Sequence, residues 1–320
     1  MQAAWPATRY TWIIGKLEHK LMSLAPEVEF ISYDKRGGLA ELLRLRRLLA
    51  DRRFDVLLHM QLAFRASLIA TLVRAPIKLG FDRRRARELQ WLFTNRRIAD
   101  QGDQHVLDAL FGFTDALGVP ASAPRWDLPL PAAACAYAQR LIPDSRPTLL
   151  ISACSSHVLR NWRAERYAAL ADHAALRHGM RVILCGGPGA VERSMAEAIQ
   201  SAAHTPLLDQ VGKDTLPQLL ALLSRATLLI TPDSGPAHMA TLVGLPVIGL
   251  YAATNPARSG PYLSRAHCVD RYADAARSFL RTEPERLAWT TKIERPGVMD
   301  LITVEQVAAR LDALLAGAHC

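Results

Sequence analysis

Long apolar runs are missing from this chain. Its apolar stretches are strand-sized and broken by Arg or Pro, well short of the roughly 20 residues that a spanning helix needs. The start, MQAAWPATRY, lacks the basic and then apolar order of a secretory leader. A cytosolic protein is therefore expected. Cysteine is scarce: Cys135, Cys154, Cys185, Cys268 and Cys320 are odd in number and far apart, with no CxxC and no Cys/His cluster. That pattern speaks against a disulfide scaffold and against a zinc site. No Asp-x-Asp pair offers a metal two carboxylates, so no metal and no cofactor is expected. RRM, zinc-finger and helix-turn-helix signatures are absent too, which leaves nucleic acid without a recognition element.

Acidic residues are thin in the first half. From Lys35 to Arg97 sixteen Lys or Arg stand against five Asp or Glu, while the whole chain carries a net charge of +9. Such a surplus suits an anionic membrane surface or a phosphorylated substrate. The plainer account of LLRLRRLLADRR alone is a solvated helix face.

What the chain does have is length and rhythm. Its 320 residues, half of them hydrophobic, suffice for two domains at about 100–200 residues each. In the second half TLLISA, RVILCG, ATLLIT and PVIGLY are short apolar runs separated by the helical stretches AERYAALADHAALRHG, AVERSMAEAIQSAA and TLPQLLALLSRA. Buried strands alternating with amphipathic helices specify a parallel α/β sheet. The first half repeats the scheme with TWIIGK, VEFISYD, FDVLLHM and IKLGF as strands and with GLAELLRLRRLLADR and AFRASLIATLVRA as helices. The Pro- and Ala-rich stretch GVPASAPRWDLPLPAAA reads as the connector. Two Rossmann-like lobes are expected, residues 1–130 and 131–320, with TVEQVAARLDALLAG as a closing helix.

Ligands of parallel sheets sit at the carboxyl ends of the strands. There CSSHVLR offers Ser155, Ser156 and Arg160; GGPG offers Gly186 and Gly187, with Glu192 opening the next helix; and DSGPAHMA offers Asp233, Ser234, Gly235, Pro236 and His238. Gly235 allows close approach and Pro236 suits a first helical turn, whose free N–H groups favour an anion. Asp233 is suited to accepting hydrogen bonds from sugar hydroxyls beside a phosphate, and Arg160 to a diphosphate. The plainer alternative makes Asp233 or Ser234 a helix cap, worth about 1 kcal/mol, and His238 a packing residue.

LITPDSGPAHMATLVGLPVIGLYAATNPARSGPY, LRNWRAERYAAL, DQVGKDTLPQLLALLSRATLLIT and RFDVLLHMQLAFRASLIATLVRAPIKLGFDR resemble the segments of the family-nine glycosyltransferases, the lipopolysaccharide heptosyltransferases. The resemblance runs nearly end to end. It implies a GT-B fold, two Rossmann-like lobes with parallel sheets facing a central cleft. The activity implied is inverting transfer of heptose from ADP-heptose to a sugar hydroxyl of the phosphorylated lipopolysaccharide inner core. The donor would lie on the second lobe, against Ser155, Ser156, Arg160, Gly186, Gly187, Glu192, Gly212, Lys213, Asp233, Ser234, Gly235, Pro236 and His238. Arg160 stands where the family has a phosphate-contacting lysine, so charge is expected to be its main property and lysine to replace it. Arg163 takes the place of a usual proline.

Family members open with a strand and a Gly-Asp turn whose aspartate is the general base; here MQAAWPATRYTWIIGK resembles the helix and strand that follow. The first lobe is therefore expected to lack its first strand, between TWIIGK and FDVLLHM, and that aspartate, with His59 and Asp103 as other groups able to take a proton. An alternative is a nucleotide-sugar-binding protein of the same fold without catalysis. The resemblance places the protein in the cytoplasm, in peripheral contact with the anionic inner membrane.

Overall fold

The computed structural model describes residues 1–120, 123–126 and 128–317; Cys320 and parts of the expected connector lie outside them. The chain divides into two compact units, Met1–Arg125 and Trp126–Cys320, a border slightly earlier than the one expected at 130/131.

In the first unit β1 (Tyr10–Gly15) leads through α1 (Lys16–Met22) to β2 (Val28–Tyr33) and α2 (Gly38–Leu49). Then follow β3 (Val56–Leu58), α3 (Phe64–Leu72), β4 (Ile77–Gly80), β5 (Arg96–Arg97) and α4 (Val106–Ala116). β1 pairs with β2 in parallel, and β3, β4 and β5 form a second parallel sheet in that order. Among the described residues no ladder joins β1 to β3. The interruption lies between TWIIGK and FDVLLHM, the place expected from the resemblance. It shows in the burial of β3, whose three residues are all half-buried, whereas an interior strand of a parallel sheet is covered on both faces. Ile31, Leu45, Leu49, Ile69 and Val73 nevertheless form one core, against which Ile13 and Leu57 pack, so helices bridge what the backbone ladder does not. A second core gathers Leu79, Phe81, Ile98 and Phe113.

The second unit opens with α5 (Ala132–Leu141), which begins inside the stretch expected to be connector. Its alanines carry no amphipathic pattern yet are the strongest helix formers. The unit continues with β6 (Thr148–Ile151), α6 (Ala164–His178), β7 (Arg181–Leu184), α7 (Ala190–Ala202), β8 (Leu208–Asp209), α8 (Leu216–Arg225), β9 (Leu228–Pro232) and α9 (Gly235–Leu242). After these come β10 (Val247–Tyr251), the single turn α10 (Pro256–Ser259), β11 (Val269–Asp270), α11 (Tyr272–Ala275) and α12 (Val304–Gly317).

All strand pairs of this sheet are parallel, in the order β8-β7-β6-β9-β10-β11. This is the doubly wound order in which the winding reverses between the first and fourth strands, here β6 and β9. Every residue of β6, β9 and β10 is buried, because helices cover both faces; that is why these strands read as continuous apolar runs. Local signals set the helix ends. A capping box, Thr215 with Gln218, starts α8, and Gly179, at φ +61°, ends α6 in the left-handed region.

Candidate functional site

The reversal point brings together two loops far apart in sequence. The loop after β6 is tied to the core through Trp162. Trp162 is buried and donates from Nε1 to the Ile302 carbonyl at 3.0 Å, and its ring meets Tyr167 edge-on at 5.1 Å. The Tyr167 hydroxyl in turn donates to the Ala153 carbonyl at 3.3 Å. The Ser155 backbone N–H donates to Asn161 Oδ1 at 2.7 Å, and the Ser155 hydroxyl crosses to the neighbouring loop, donating to the Asp233 carbonyl at 2.7 Å.

Arg160 is the electrostatic centre. Its side chain is only 10% exposed and meets two carboxylates. Nε and Nη2 donate to Glu294 Oε1 at 2.9 and 2.7 Å, while Nη1 reaches Asp233 Oδ2 at 3.3 Å. His157 Nε2 lies 3.7 Å from the other Glu294 oxygen. Burial alone would raise the Glu294 pKa, but the Arg160 hydrogen bond, with the charges of Arg160, His157 and Lys292, holds it below the usual carboxylate range. The Nη1 contact is the longest of the three, so that edge of the guanidinium is the one an incoming anion could take over.

The start of α9 decides between cap and ligand site. Ser234 occupies the cap position, but its side chain makes no capping bond; its hydroxyl pairs instead with Thr231 Oγ1 at 2.7 Å. Pro236 has no N–H, so the donors of the first turn come from Gly235 and Ala237, directed at whatever lies beyond the helix end. A Cβ added at Gly235 would meet nothing within 4 Å, so the approach is open. His238 follows in the first turn with its side chain exposed; the density of the surrounding protein lowers its pKa, while Asp233 acts to raise it.

GGPG turns from β7 into α7 beside the loop that follows β6. Gly189 caps α7 without a side-chain bond, and Glu192 lies in the first turn. The Glu192 carboxylate folds back over the turn: a Cβ at Gly189 would collide with its Oε2, and one at Gly187 would lie 3.3 Å from its Oε1. Gly212 donates its N–H to the Gly186 carbonyl at 2.9 Å. It has φ +76°, and a Cβ there would lie 3.0 Å from the Pro188 backbone, so only glycine fits. Lys213 turns toward Asp209, donating to its carbonyl at 2.6 Å. A small cavity beneath these turns is lined by Ala153, Cys154, Cys185, Glu192 and Val211, among others. Burial pushes the Cys154 thiol up to about 11, which leaves it inert at neutral pH.

The strand ends thus gather Ser155, Arg160, Asp233, Ser234 and Gly235 at the reversal point, with Gly186, Gly187, Glu192 and Gly212 on the adjacent turn. Ser156 shares the loop of Ser155 but makes no cross-loop bond comparable to it. Sequence reasoning missed Glu294, Asn161 and Thr231. Glu294 is 134 positions from Arg160, in a segment without periodicity, and nothing local marks it. Asp214 was missed too: both its carboxylate oxygens are buried without a hydrogen-bond partner among the described residues, and burial raises its pKa to about 6. Asn255 of the Thr-Asn-Pro loop has a structural role, its Oδ1 capping α10 through the Ala257 N–H at 2.9 Å. Arg163, where a proline is usual, pairs with Asp300.

Neither proton-accepting group of the first unit is free. His59 is buried, with Nε2 3.0 Å from the Ser67 hydroxyl, and burial lowers its pKa to about 4. Asp103 is paired with Arg84 at 2.7 Å.

A doubly wound parallel sheet with an open helix start at its reversal point, preceded by a second parallel α/β unit, defines an α/β protein of the GT-B-like fold class. The family model for glycosyltransferase family 9 (heptosyltransferase) matches residues 42–288. The chain belongs to glycosyltransferase family 9 and is an enzyme of that family. It is 41% identical over 314 residues to the lipopolysaccharide core heptosyltransferase OpsX of Haemophilus influenzae, covering 98% of this chain and 90% of that one. Among solved structures it resembles a family 9 glycosyltransferase of Veillonella parvula, with TM-score 0.79, 24% identity and 99% and 90% of the two chains covered. It also resembles the E. coli heptosyltransferase WaaC with ADP, with TM-score 0.73, 19% identity and 98% and 92% covered. No described helix is long and apolar enough to cross a membrane.

Proposed function

We propose that this chain transfers heptose from ADP-heptose to a sugar hydroxyl of the lipopolysaccharide inner core, with inversion at the anomeric carbon. The observation that carries the reading is the meeting of Arg160, Asp233 and the uncapped start of α9 at the reversal point of the second sheet. A relative 41% identical over nearly the whole chain bears the name of a lipopolysaccharide core heptosyltransferase. In this scheme Arg160 and the α9 N–H groups receive the diphosphate, Asp233 and Glu192 accept hydroxyl hydrogen bonds of the sugars, and Gly186, Gly187 and Gly212 leave backbone room. The acceptor oxygen attacks the anomeric carbon as its bond to the ADP β-phosphate breaks; ADP leaves with the electron pair, and the hydroxyl proton passes to a base. Charge growing on the leaving diphosphate is met by the guanidinium and the helix end.

The test is incubation of the purified chain with ADP-heptose and a core acceptor lacking the heptose, following ADP release and acceptor mass. The expected result is one heptose added with the anomeric configuration inverted. Binding of ADP-heptose without any transfer would favour the non-catalytic nucleotide-sugar-binding reading, and no binding would refute both.

The basic first unit suits a peripheral contact with the anionic inner membrane surface. On α2, Leu39, Leu43, Arg46 and Arg47 are all exposed and fall on one stripe at 3.6-residue spacing, opposite the buried Leu45 and Leu49. Leucines and arginines together fit an anionic lipid interface, at about 1 kcal/mol per basic residue near the surface. The chain is expected to sediment with vesicles containing phosphatidylglycerol but not with neutral ones, and Arg46→Glu with Arg47→Glu should abolish this. Unchanged sedimentation of the double variant would remove α2 from the contact.

A further inference from the structure

One cluster in the second unit takes no part in the site described above. His173 and His178 lie on α6, His178 being its last residue, and Asp312 lies on α12, which packs along α6. Both imidazoles present Nε2 to the same carboxylate oxygen, Asp312 Oδ1, at 2.7 and 2.6 Å. The two rings are 5.6 Å apart between centroids, and the three ligand-capable atoms all lie within 4.8 Å of one another. The second carboxylate oxygen, Oδ2, is 3.5 Å from Arg177 Nε. We propose that His173, His178 and Asp312 form a binding site for a divalent transition-metal ion, of which zinc is the best fit, that fastens α12 to α6.

The donor set selects the ion. Two neutral imidazole nitrogens and one carboxylate oxygen suit zinc and its neighbours, whereas magnesium and calcium require oxygen ligands. Zinc bonds of about 2.0–2.1 Å in a tetrahedral arrangement separate neighbouring ligand atoms by about 3.3 Å, so the oxygen and each nitrogen need to part by about 0.6–0.7 Å. The side chains keep between 21 and 29% of their surface exposed, which leaves a water the fourth position. Arg177 steadies Oδ2 and so presents Oδ1 as a single ligand atom, the part an outer hydrogen-bond partner plays in metal sites. The carboxyl end of α6 adds partial negative charge from its last carbonyls. The spacing of five residues between the histidines is not the four of familiar helical zinc motifs, and Asp312 joins from 134 positions beyond His178.

The site lies at the far end of α6 from Arg160, about 20 Å along a 15-residue helix, so the proposal is independent of the reading of the donor site. Its test is equilibrium dialysis of the chelator-stripped full chain against Zn²⁺. One ion per chain is expected in the parent, with affinity at least 10-fold lower in His173→Ala, His178→Ala and Asp312→Asn. At 100-fold excess over the parent's Kd the ion should raise the parent's thermal midpoint by about 5 °C and that of each variant by about half as much or less. Cobalt bound in its place should show the visible absorption of a four-coordinate ion without the ultraviolet charge-transfer band of a thiolate. That readout separates the site from exposed Cys135, and it decides the matter in the parent even if a variant fails to fold. ADP affinity is expected to be the same with and without zinc. No stoichiometric binding, equal affinity in the variants, or a thiolate band would overturn the proposal.

Discussion

Arg160→Ala is expected to weaken ADP binding by about 100-fold or more in calorimetry. A charge-assisted hydrogen bond is worth about 1.5–3 kcal/mol, and about 1.4 kcal/mol is a factor of ten. The loss goes beyond the missing contact, because Arg160 also neutralises Asp233 and Glu294. Removing it leaves two carboxylates facing the place where a diphosphate should sit. Arg160→Lys is expected to fall nearer to alanine than to the parent. From sequence alone a lysine looks sufficient, since charge is the property in view. The structure shows three guanidinium nitrogens spread over two carboxylates, a planar fork that a single ammonium cannot reproduce. Glu294→Gln should give an intermediate loss by loosening the fork while keeping a hydrogen bond. Parent-like binding by Arg160→Ala, with thermal stability unchanged, would mean that the donor site is elsewhere.

Asp214→Asn is expected to stabilise the protein at pH 7.5 by about 1–3 kcal/mol and to do little at pH 4. The carboxyl has a folded pKa of about 6 because it is buried, above the roughly 3.9 of an unfolded chain. A group whose pKa rises on folding favours the folded state while both states hold the proton. As pH rises from about 4 to about 6 the unfolded chain gives up its proton more readily, so stability falls; above 6 the penalty is constant. The gap between the folded and unfolded values bounds the penalty at about 2.9 kcal/mol, and partial solvent access reduces that. Urea unfolding of parent and variant at the two pH values checks the sign. An equal effect at both would show that Asp214 is solvated or paired when the protein is in solution.

Much of the second unit is legible in the sequence because its signals are local and agree. TLLI, RVIL, LLITP and VIGLY are apolar on both faces, and only a parallel sheet covered by helices on both sides buries such runs. The two-residue strands β5, β8 and β11 carry no periodicity and leave no trace in the pattern. α5 escapes because alanine makes helix without making an amphipathic face, and α1 because seven residues give barely two turns to read. In the first unit the sequence locates β1 to β4, and the family resemblance anticipates the break between β1 and β3.

The chemistry divides in the same way. DSGPAH declares a strand-to-helix turn with a carboxylate at the strand end, because glycine and proline carry their backbone consequences wherever they stand. Whether Ser234 caps the helix is not decidable from its type, since a serine hydroxyl can turn either to the helix N–H groups or to a neighbour. Packing turns it to Thr231 and leaves the helix end open. Sequence by itself therefore determined the fold class, the family and the loops that could meet a ligand, because these follow from residue types and short spacings. Tertiary structure alone decided that Arg160 would be shared between Asp233 and Glu294 and that His173 and His178 would meet Asp312. Those partners lie 73 to 139 positions apart, and only the packing of the sheet and its helices brings them within hydrogen-bonding reach.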